Sequence, residues 1–217
     1  DWDCEVIYWG VDTEMFTPCE IRNKSFRNRF GCSDKDMLLL AVGRLVARKG
    51  YMTLLRAMPD ILSENPQAKL VIVGRGHMKS SLEKQAKKLA ISDSIFIQSS
   101  LSFDELAQHF RSADLVVYPS YYEGQGLIPL ESLASGTPVA TVNQEPLTEM
   151  VDSTVGGLFE RGNPNDLARC VNEMLSASDT EDKANLGRER VLSKYTYEHN
   201  ASDYEGVFKR AISKQKS

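Results

Sequence analysis

Long apolar runs are missing from this chain. None of its 217 residues forms a stretch near the length of a membrane-spanning helix, which takes about 20 consecutive apolar residues. No signal peptide stands at the start either, so a cytoplasmic or membrane-peripheral location is expected. Cysteine is scarce: Cys4, Cys19, Cys32 and Cys170 include no Cys-x-x-Cys pair. That excludes a zinc-ribbon or redox motif, and the four read as reduced filler residues rather than disulfide partners. His77, His109 and His199 are too dispersed for a metal cluster, and each reads as a surface or half-buried residue. Basic residues do not dominate: 26 Lys and Arg stand against 30 Asp and Glu, a net charge of −4. With no basic stripe, nucleic acid is not an expected partner, although a nucleotide would need only a few placed cations. Internal repeats and low-complexity segments are absent. What remains is ordinary globular composition, 41% hydrophobic and 26% charged, long enough for one domain with a proper core and a small appendage.

Short apolar runs rich in β-branched residues recur between amphipathic stretches. Leu38–Val42, Lys69–Val73, Ser94–Ile97, Leu115–Tyr118 and Pro138–Val142 read as strands, with Gly156–Phe159 as a weaker sixth. Runs apolar on both faces suit a parallel sheet covered by helices on each side. Helical spacing places Leu54, Leu55, Met58, Ile61 and Leu62 on one face of Tyr51–Glu64, where Pro59 should kink the helix or remove a hydrogen bond. Further helices are expected over Lys79–Ala90, Asp104–Arg111, Pro129–Ala134, Asn165–Ser176, Glu181–Lys194 and Tyr197–Lys214, with Ser176–Asp182 as a polar linker. This alternation predicts an α/β, doubly wound, Rossmann-like parallel sheet of about six strands with helices on both faces. The final cations, Lys209, Arg210, Lys214 and Lys216, read as a solvated helix end or as a weak peripheral membrane contact. The chain opens without Met, and Cys4–Tyr8 reads as a strand. So abrupt a start is expected of a piece of something longer.

In open α/β sheets ligands bind at the carboxyl ends of strands, and three such ends carry unusual residues. Val42-Gly-Arg-Leu-Val-Ala-Arg-Lys-Gly50 puts Arg44 and Lys49 in one short loop before a helix. Fixed N–H donors and two cations there suit a diphosphate; the alternative is a basic surface loop. Val73-Gly-Arg-Gly-His77 lacks the third glycine of a dinucleotide fingerprint. Its glycines more simply permit a tight turn and a close backbone approach. The third end, Pro119-Ser-Tyr-Tyr-Glu-Gly-Gln-Gly-Leu-Ile-Pro-Leu-Glu131, brackets a glycine turn with two carboxylates. Gly124 and Gly126 let the backbone pass close to a ligand, and Pro129 suits a first helical turn. Glu131 would share that first turn, where dipole compensation is its simplest role; Glu123 is otherwise a solvated loop charge. Together these features suit a ligand with both phosphate and several hydroxyls, such as a nucleotide-sugar.

At these positions the chain resembles the retaining glycosyltransferases of the GT-B fold, family 4 (glycosyl transferases group 1), and specifically their C-terminal donor-binding lobe. The resemblance runs through Trp9-Gly-Val-Asp-Thr-Glu-Met-Phe16, Val42–Gly50, Leu70–Gly76, Ser112–Ser120, Glu123–Glu131, Gly136-Thr-Pro-Val139 and Glu149-Met-Val. The chain departs from the family pattern at Gln125, where an aromatic residue is common, at Ser99-Ser-Leu, and at Trp9, where Asn is usual. The resemblance implies that residues 1–20 are an interlobe entry segment and 21–195 a nucleotide-sugar-binding domain. Residues 196–217 would be a helix packing back toward an N-terminal lobe that precedes Asp1.

It also implies roles. Arg44 and Lys49 would grip the donor diphosphate and act with Glu123 as the catalytic set. Gly43, Gly124, Gln125, Gly126 and Leu127 would line the donor, mostly through backbone groups. Glu123 would meet the sugar hydroxyls and Glu131 the ribose. The nucleobase would lie near residues 98–103, at Gln98 and Leu101. The donor would be a UDP-, GDP- or ADP-sugar and the acceptor a glycan or lipid-linked molecule, with no cofactor and no metal, because the two cations supply the positive charge. A non-catalytic nucleotide-binding partner lobe and a GT-B nucleotide-sugar epimerase are the alternatives. A dehydrogenase is disfavoured by the incomplete glycine fingerprint.

Overall fold

A computed structural model of the chain describes residues 4–19, 23–33, 35–99 and 101–214. Six parallel strands form the centre: β1 (Leu38–Val42), β2 (Lys69–Val73), β3 (Ile95–Gln98), β4 (Leu115–Tyr118), β5 (Val139–Val142) and β6 (Gly156–Phe159). Their spatial order is β3-β2-β1-β4-β5-β6. The helices are α1 (Lys24–Asn28), α2 (Tyr51–Glu64), α3 (Lys79–Lys88), α4 (Phe103–Ser112), α5 (Leu127–Ala134), α6 (Leu147–Met150), α7 (Pro164–Ser176), α8 (Thr180–Lys194) and α9 (Tyr197–Lys214).

The doubly wound sheet expected from the apolar runs is therefore present. β1 and β4 are buried along their whole length, which is why their sequences are apolar on both faces rather than alternating. In register, Leu40 sits between Val71 of β2 and Val116 of β4. Helix α2 packs against α3 and α7, while α5 packs against α8. Helix α2 runs unbroken through Pro59; the proline ring removes the N–H that would have met the carbonyl of Leu55.

Strand order reverses between β1 and β4. Chain segments leaving these two neighbours diverge to opposite sides, and the crevice they open at the strands' carboxyl ends is where ligands bind in such sheets. The loops after β1 and β4 are the two that carry Lys49 and Glu123.

Several expectations need correction. Residues 4–10 form no strand; only an isolated parallel bridge links Val11 to Thr196. Segment 176–182 is a linker only as far as Asp179, because α8 begins at Thr180. His109 is neither surface nor half-buried. It is 3% exposed, its ring edge-on to Phe26 at 4.6 Å, with Nδ1 on the Glu105 carbonyl and Nε2 on Gln98 Oε1, both at 2.7 Å. Burial holds its pKa below the ordinary imidazole value. Ser100, Lys216 and the boundary at 20–21 lie outside the described residues.

One structural feature had no sequence signal. Arg27 of α1 is 2% exposed and pairs with Asp114 at 2.8 Å while donating to the carbonyl of Ser112 at 2.9 Å. Asp114 also accepts the Leu38 N–H at 2.7 Å, so this pair fastens α1 beneath the start of β1 and β4, at the opposite end of the sheet from the crevice.

Candidate donor-binding site

Backbone geometry sets the site before any side chain does. After β1 the chain enters a 3-10 turn, Ala47–Lys49, which ends at Gly50 with φ +70°. A Cβ on Gly50 would lie 1.9 Å from the carbonyl oxygen of Pro119, so only glycine allows both that dihedral and that approach. The β1 loop is thereby pressed onto the end of β4, where Tyr121 N–H donates to the Arg48 carbonyl at 2.7 Å and Arg48 Nη1 to the Tyr122 carbonyl at 2.9 Å. Gly74 and Gly76 act similarly on the other side. Cβ atoms there would sit 1.9 Å from Gly43 O and 2.3 Å from Leu45 O. The Val73–His77 glycines thus serve close packing of the β2 turn on the β1 loop, and His77 is exposed.

This packing turns Lys49 inward. It is 8% exposed, its ammonium 4.9 Å from the centre of the Tyr118 ring and 2.7 Å from the Tyr118 hydroxyl. It forms a short ion pair with Glu123 Oε1. The same oxygen accepts from Tyr118 at 2.7 Å and from the Ser120 hydroxyl. Burial opposes ionisation of Glu123, but the hydrogen bonds from Lys49, Ser120 and Tyr118 outweigh it and hold the carboxyl below its ordinary value. Lys49 and Glu123, 74 residues apart in sequence, are thus one charged unit. Arg44 does not join it; it is exposed on the same loop.

Tyr51, the first residue of α2, lies beneath this cluster. Its hydroxyl is buried without a hydrogen-bond partner, 2.8 Å from where a Cβ on Gly43 would stand. Burial first, and the Glu123 charge second, push its pKa well above that of a free phenol. Tyr118, Ser120 and Tyr51 were not singled out by sequence reasoning. The available signal for the first two was their place at the end of β4, directly before the glycine turn.

The turn itself differs from expectation in two ways. Helix α5 starts at Leu127 after Gly126, whose φ is +98°. Pro129 therefore stands two residues inside the helix and Glu131 falls in its second turn, not its first. Dipole compensation, greatest in the first turn, then fails to explain Glu131. Its Oε2 is sealed from solvent and has no hydrogen-bond partner, and burial pushes the carboxyl up to about 7. Gly126 meets the strain argument, since a Cβ there would approach Leu147 to 2.7 Å, but Gly124 has nothing within 4 Å. Gln125 spends both ends of its amide on one distant residue: Oε1 accepts the Trp9 N–H at 2.7 Å and Nε2 donates to the Trp9 carbonyl at 3.0 Å. Gln98 ends β3 and holds His109, and Leu101 follows the strand, half-buried against the core.

Among the described residues no group of three His, Cys, Asp or Glu side chains converges. The sequence does contain two Asp-x-Asp triplets, residues 1–3 and 34–36. Asp1–Asp3 and Asp34 lie outside the described residues, and Asp36 accepts the Ser33 N–H at 2.7 Å before β1, at the far end of the sheet. No described helix is long and apolar enough to cross a membrane.

The family model "Glycosyl transferases group 1" matches residues 23–190. An uncharacterized glycosyltransferase of Methanocaldococcus jannaschii is 36% identical over 190 residues, 87% of this chain and 48% of that protein. The alpha-monoglucosyldiacylglycerol synthase of Streptococcus pneumoniae is 32% identical over 202 residues, 92% of this chain and 44% of its own length. The chain thus spans about half the length of these curated relatives. Among solved structures, sucrose-phosphate synthase from Thermosynechococcus elongatus superposes with a TM-score of 0.85 at 26% identity, covering 96% of this chain and 53% of that one. The C-terminal domain of a glycosyl transferase group 1 protein from Francisella tularensis gives 0.75 at 26%, covering 87% and 100%. An Anabaena protein in complex with UDP and glucose shares the fold, with a TM-score of 0.84 at 21% identity over 94% of this chain and 56% of that one. The family model matched over residues 23–190, together with relatives above 30% identical along most of the chain, establishes that the chain belongs to the glycosyl transferases group 1 family.

Proposed function

We propose that this chain is the donor-binding lobe of a retaining hexosyltransferase that takes its sugar from a nucleoside diphosphate. The observation that carries this reading is the buried, unpartnered Oε2 of Glu131 on the helix that begins at the Glu123 turn. A buried acceptor left unmade costs about 1–3 kcal/mol, and a ribose hydroxyl donating to it would recover that energy on binding. In this reading Lys49 contacts the diphosphate, with exposed Arg44 as the second cation closing from the same loop. Glu123, with one oxygen held by three donors, keeps its other oxygen for hydroxyls of the transferred sugar. Backbone groups from Gly124 to Leu127 approach sugar and phosphate, and the base lies near Gln98 and Leu101. The UDP-bound Anabaena neighbour shows that a protein of this fold holds such a ligand.

In this reading the glycosidic bond breaks with charge building on the β-phosphate. The Lys49 ammonium, already desolvated and fixed, meets that charge without reorganisation, which is how preorganised donors lower a barrier. The acceptor hydroxyl attacks with retention at the anomeric carbon, its proton passing to the departing β-phosphate oxygen, and positive charge from Lys49 and Arg44 stands where a metal would otherwise serve. The acceptor, a glycan or lipid-linked molecule, is held mainly by a further lobe. The exposed stripe of α9, with Tyr204 and Phe208 stacked at 6.3 Å and Tyr197 and Ile212 beside them, packs toward that lobe.

Lys49→Ala tests the assignment. Calorimetric titration with UDP, GDP or ADP should show at least about tenfold weaker binding than wild type, the loss of one charge-assisted contact of about 1.5 kcal/mol, with the far-UV circular dichroism unchanged. Equal affinity would remove Lys49 from the diphosphate site.

A further inference from the structure

We propose that Gln125 is a positioning residue: its side-chain amide, clasping both backbone groups of Trp9, sets the Glu123–Gly126 turn in the form that accepts the donor's sugar. This rests on the donor-site reading above and adds a residue to it. Gln125 was expected to touch the donor directly; the geometry points elsewhere.

Three observations combine. First, the clasp is two-pointed, with the amide oxygen taking the Trp9 N–H at 2.7 Å and the amide nitrogen giving to the Trp9 carbonyl at 3.0 Å. With carboxyls ionised at neutral pH, a carboxamide is the side chain that offers an acceptor and a donor in that parallel arrangement. Second, the turn needs an anchor. Gly124 has open space around its Cα, Gly126 takes φ +98°, and two glycines flanking one residue leave the backbone many accessible shapes. The Gln125 amide ties this segment to the rest of the molecule.

Third, the segment it grips is itself fixed. Tyr8 makes a short hydrogen bond to Glu149 and lies edge-on to Tyr195 at 5.5 Å. Its carbonyl accepts from Asn200 at 2.6 Å. Val11 N–H donates to the Tyr195 carbonyl at 2.8 Å, and a Cβ on Gly10 would strike Thr196 O at 2.4 Å. Residues 8–11 are therefore held against the α8–α9 junction, and Gln125 hooks the glycine turn, already fixed at Glu123, onto them. Ordering a loop before binding removes that cost from binding itself. The side chains proposed for ribose and diphosphate, Glu131 and Lys49, lie on α5 and the β1 loop, so the larger share of the benefit should fall on the sugar moiety.

The test compares each nucleoside diphosphate with its sugar (UDP and UDP-glucose, GDP and GDP-mannose, ADP and ADP-glucose) by calorimetry on wild type, Gln125→Ala and Gln125→Glu. Amide exchange at Trp9 is followed by NMR in the same samples. For the nucleotide that binds wild type, Gln125→Ala should lower nucleotide-sugar affinity about tenfold and diphosphate affinity several-fold less than that. Gln125→Glu keeps the acceptor but places a carboxylate against the Trp9 carbonyl, so it should lose nearly as much. The Trp9 amide should be protected in wild type, stay protected when nucleotide-sugar is bound, and exchange freely in Gln125→Ala. Loss of Trp9 protection when the sugar binds to wild type would mean that Gln125 leaves the clasp to become a direct ligand, which overturns the proposal. So would a lost clasp with an unchanged sugar preference. If wild type binds none of the six, the donor-site reading fails and the positioning role falls with it, even where Trp9 exchange shows the clasp itself to be real.

Discussion

Replacing Glu131 by Gln should stabilise the ligand-free protein and weaken its grip on nucleotide. Burial moves the carboxyl from 4.5 to about 7. Because the folded protein holds this proton more tightly than the unfolded chain does, the associated stability is fully present below pH 4.5 and is lost as the pH climbs toward 7. At 1.36 kcal/mol for each pH unit, the loss reaches about 3 kcal/mol once the group is ionised. Glutamine fills the same volume without the charge. Urea denaturation of both proteins from pH 4.5 to 8 should show near-equal stability at the acid end, a gap opening through pH 5 and 6, and a plateau of about 3 kcal/mol in favour of Glu131→Gln above pH 7. Nucleoside diphosphate binding should move the other way, weakening by about 10- to 100-fold when a charged acceptor worth about 1.5–3 kcal/mol is lost. A pH-independent difference would refute the buried-carboxylate account. A stability gain without any loss of affinity would leave the charge real but remove it from the binding site.

Gly50→Ala should destabilise by about 3 kcal/mol or more in the same denaturation assay, because its Cβ would stand 1.9 Å from the Pro119 carbonyl at φ +70°. Gly124→Ala, with nothing within 4 Å, should change stability by less than about 0.5 kcal/mol; a comparable loss in both would contradict the packing described. Asp114→Ala should cost about 3 kcal/mol or more by leaving the Arg27 guanidinium buried beside backbone carbonyls alone. Nucleotide affinity at a temperature where that variant remains folded should be unchanged, since the pair lies at the opposite end of the sheet.

The layout of the sheet was legible because burial on both faces leaves a local signature. Leu38–Val42, Lys69–Val73 and Leu115–Tyr118 end where their apolar runs end. Helix α2 was equally clear, bounded by Gly50 and Asn65 with its apolar stripe between. Helix α1 was not, since five residues around a buried arginine look polar until Asp114, 87 positions away, is brought beneath it. The start of α5 was misjudged because Pro129 offered a familiar first-turn signal, whereas the left-handed Gly126 begins the helix two residues earlier. At the site, residue types were readable but partnerships were not. Arg44 and Lys49 share a loop, yet the close approach of Gly50 to Pro119 turns only Lys49 inward, onto Glu123. The Gln125–Trp9 clasp joins residues 116 apart, and no periodicity or spacing reports such a contact.

The donor-binding reading is tested most directly by thermal unfolding of the 217-residue chain with UDP, GDP, ADP and their sugars, each alone. Ligand at 100 times its dissociation constant stabilises by about 2.7 kcal/mol, which for a domain of this size raises the transition by about 5–10 °C. The expected result is such a rise with one base and its sugar, much reduced in Lys49→Ala. No rise with any of the six at millimolar concentration would contradict it.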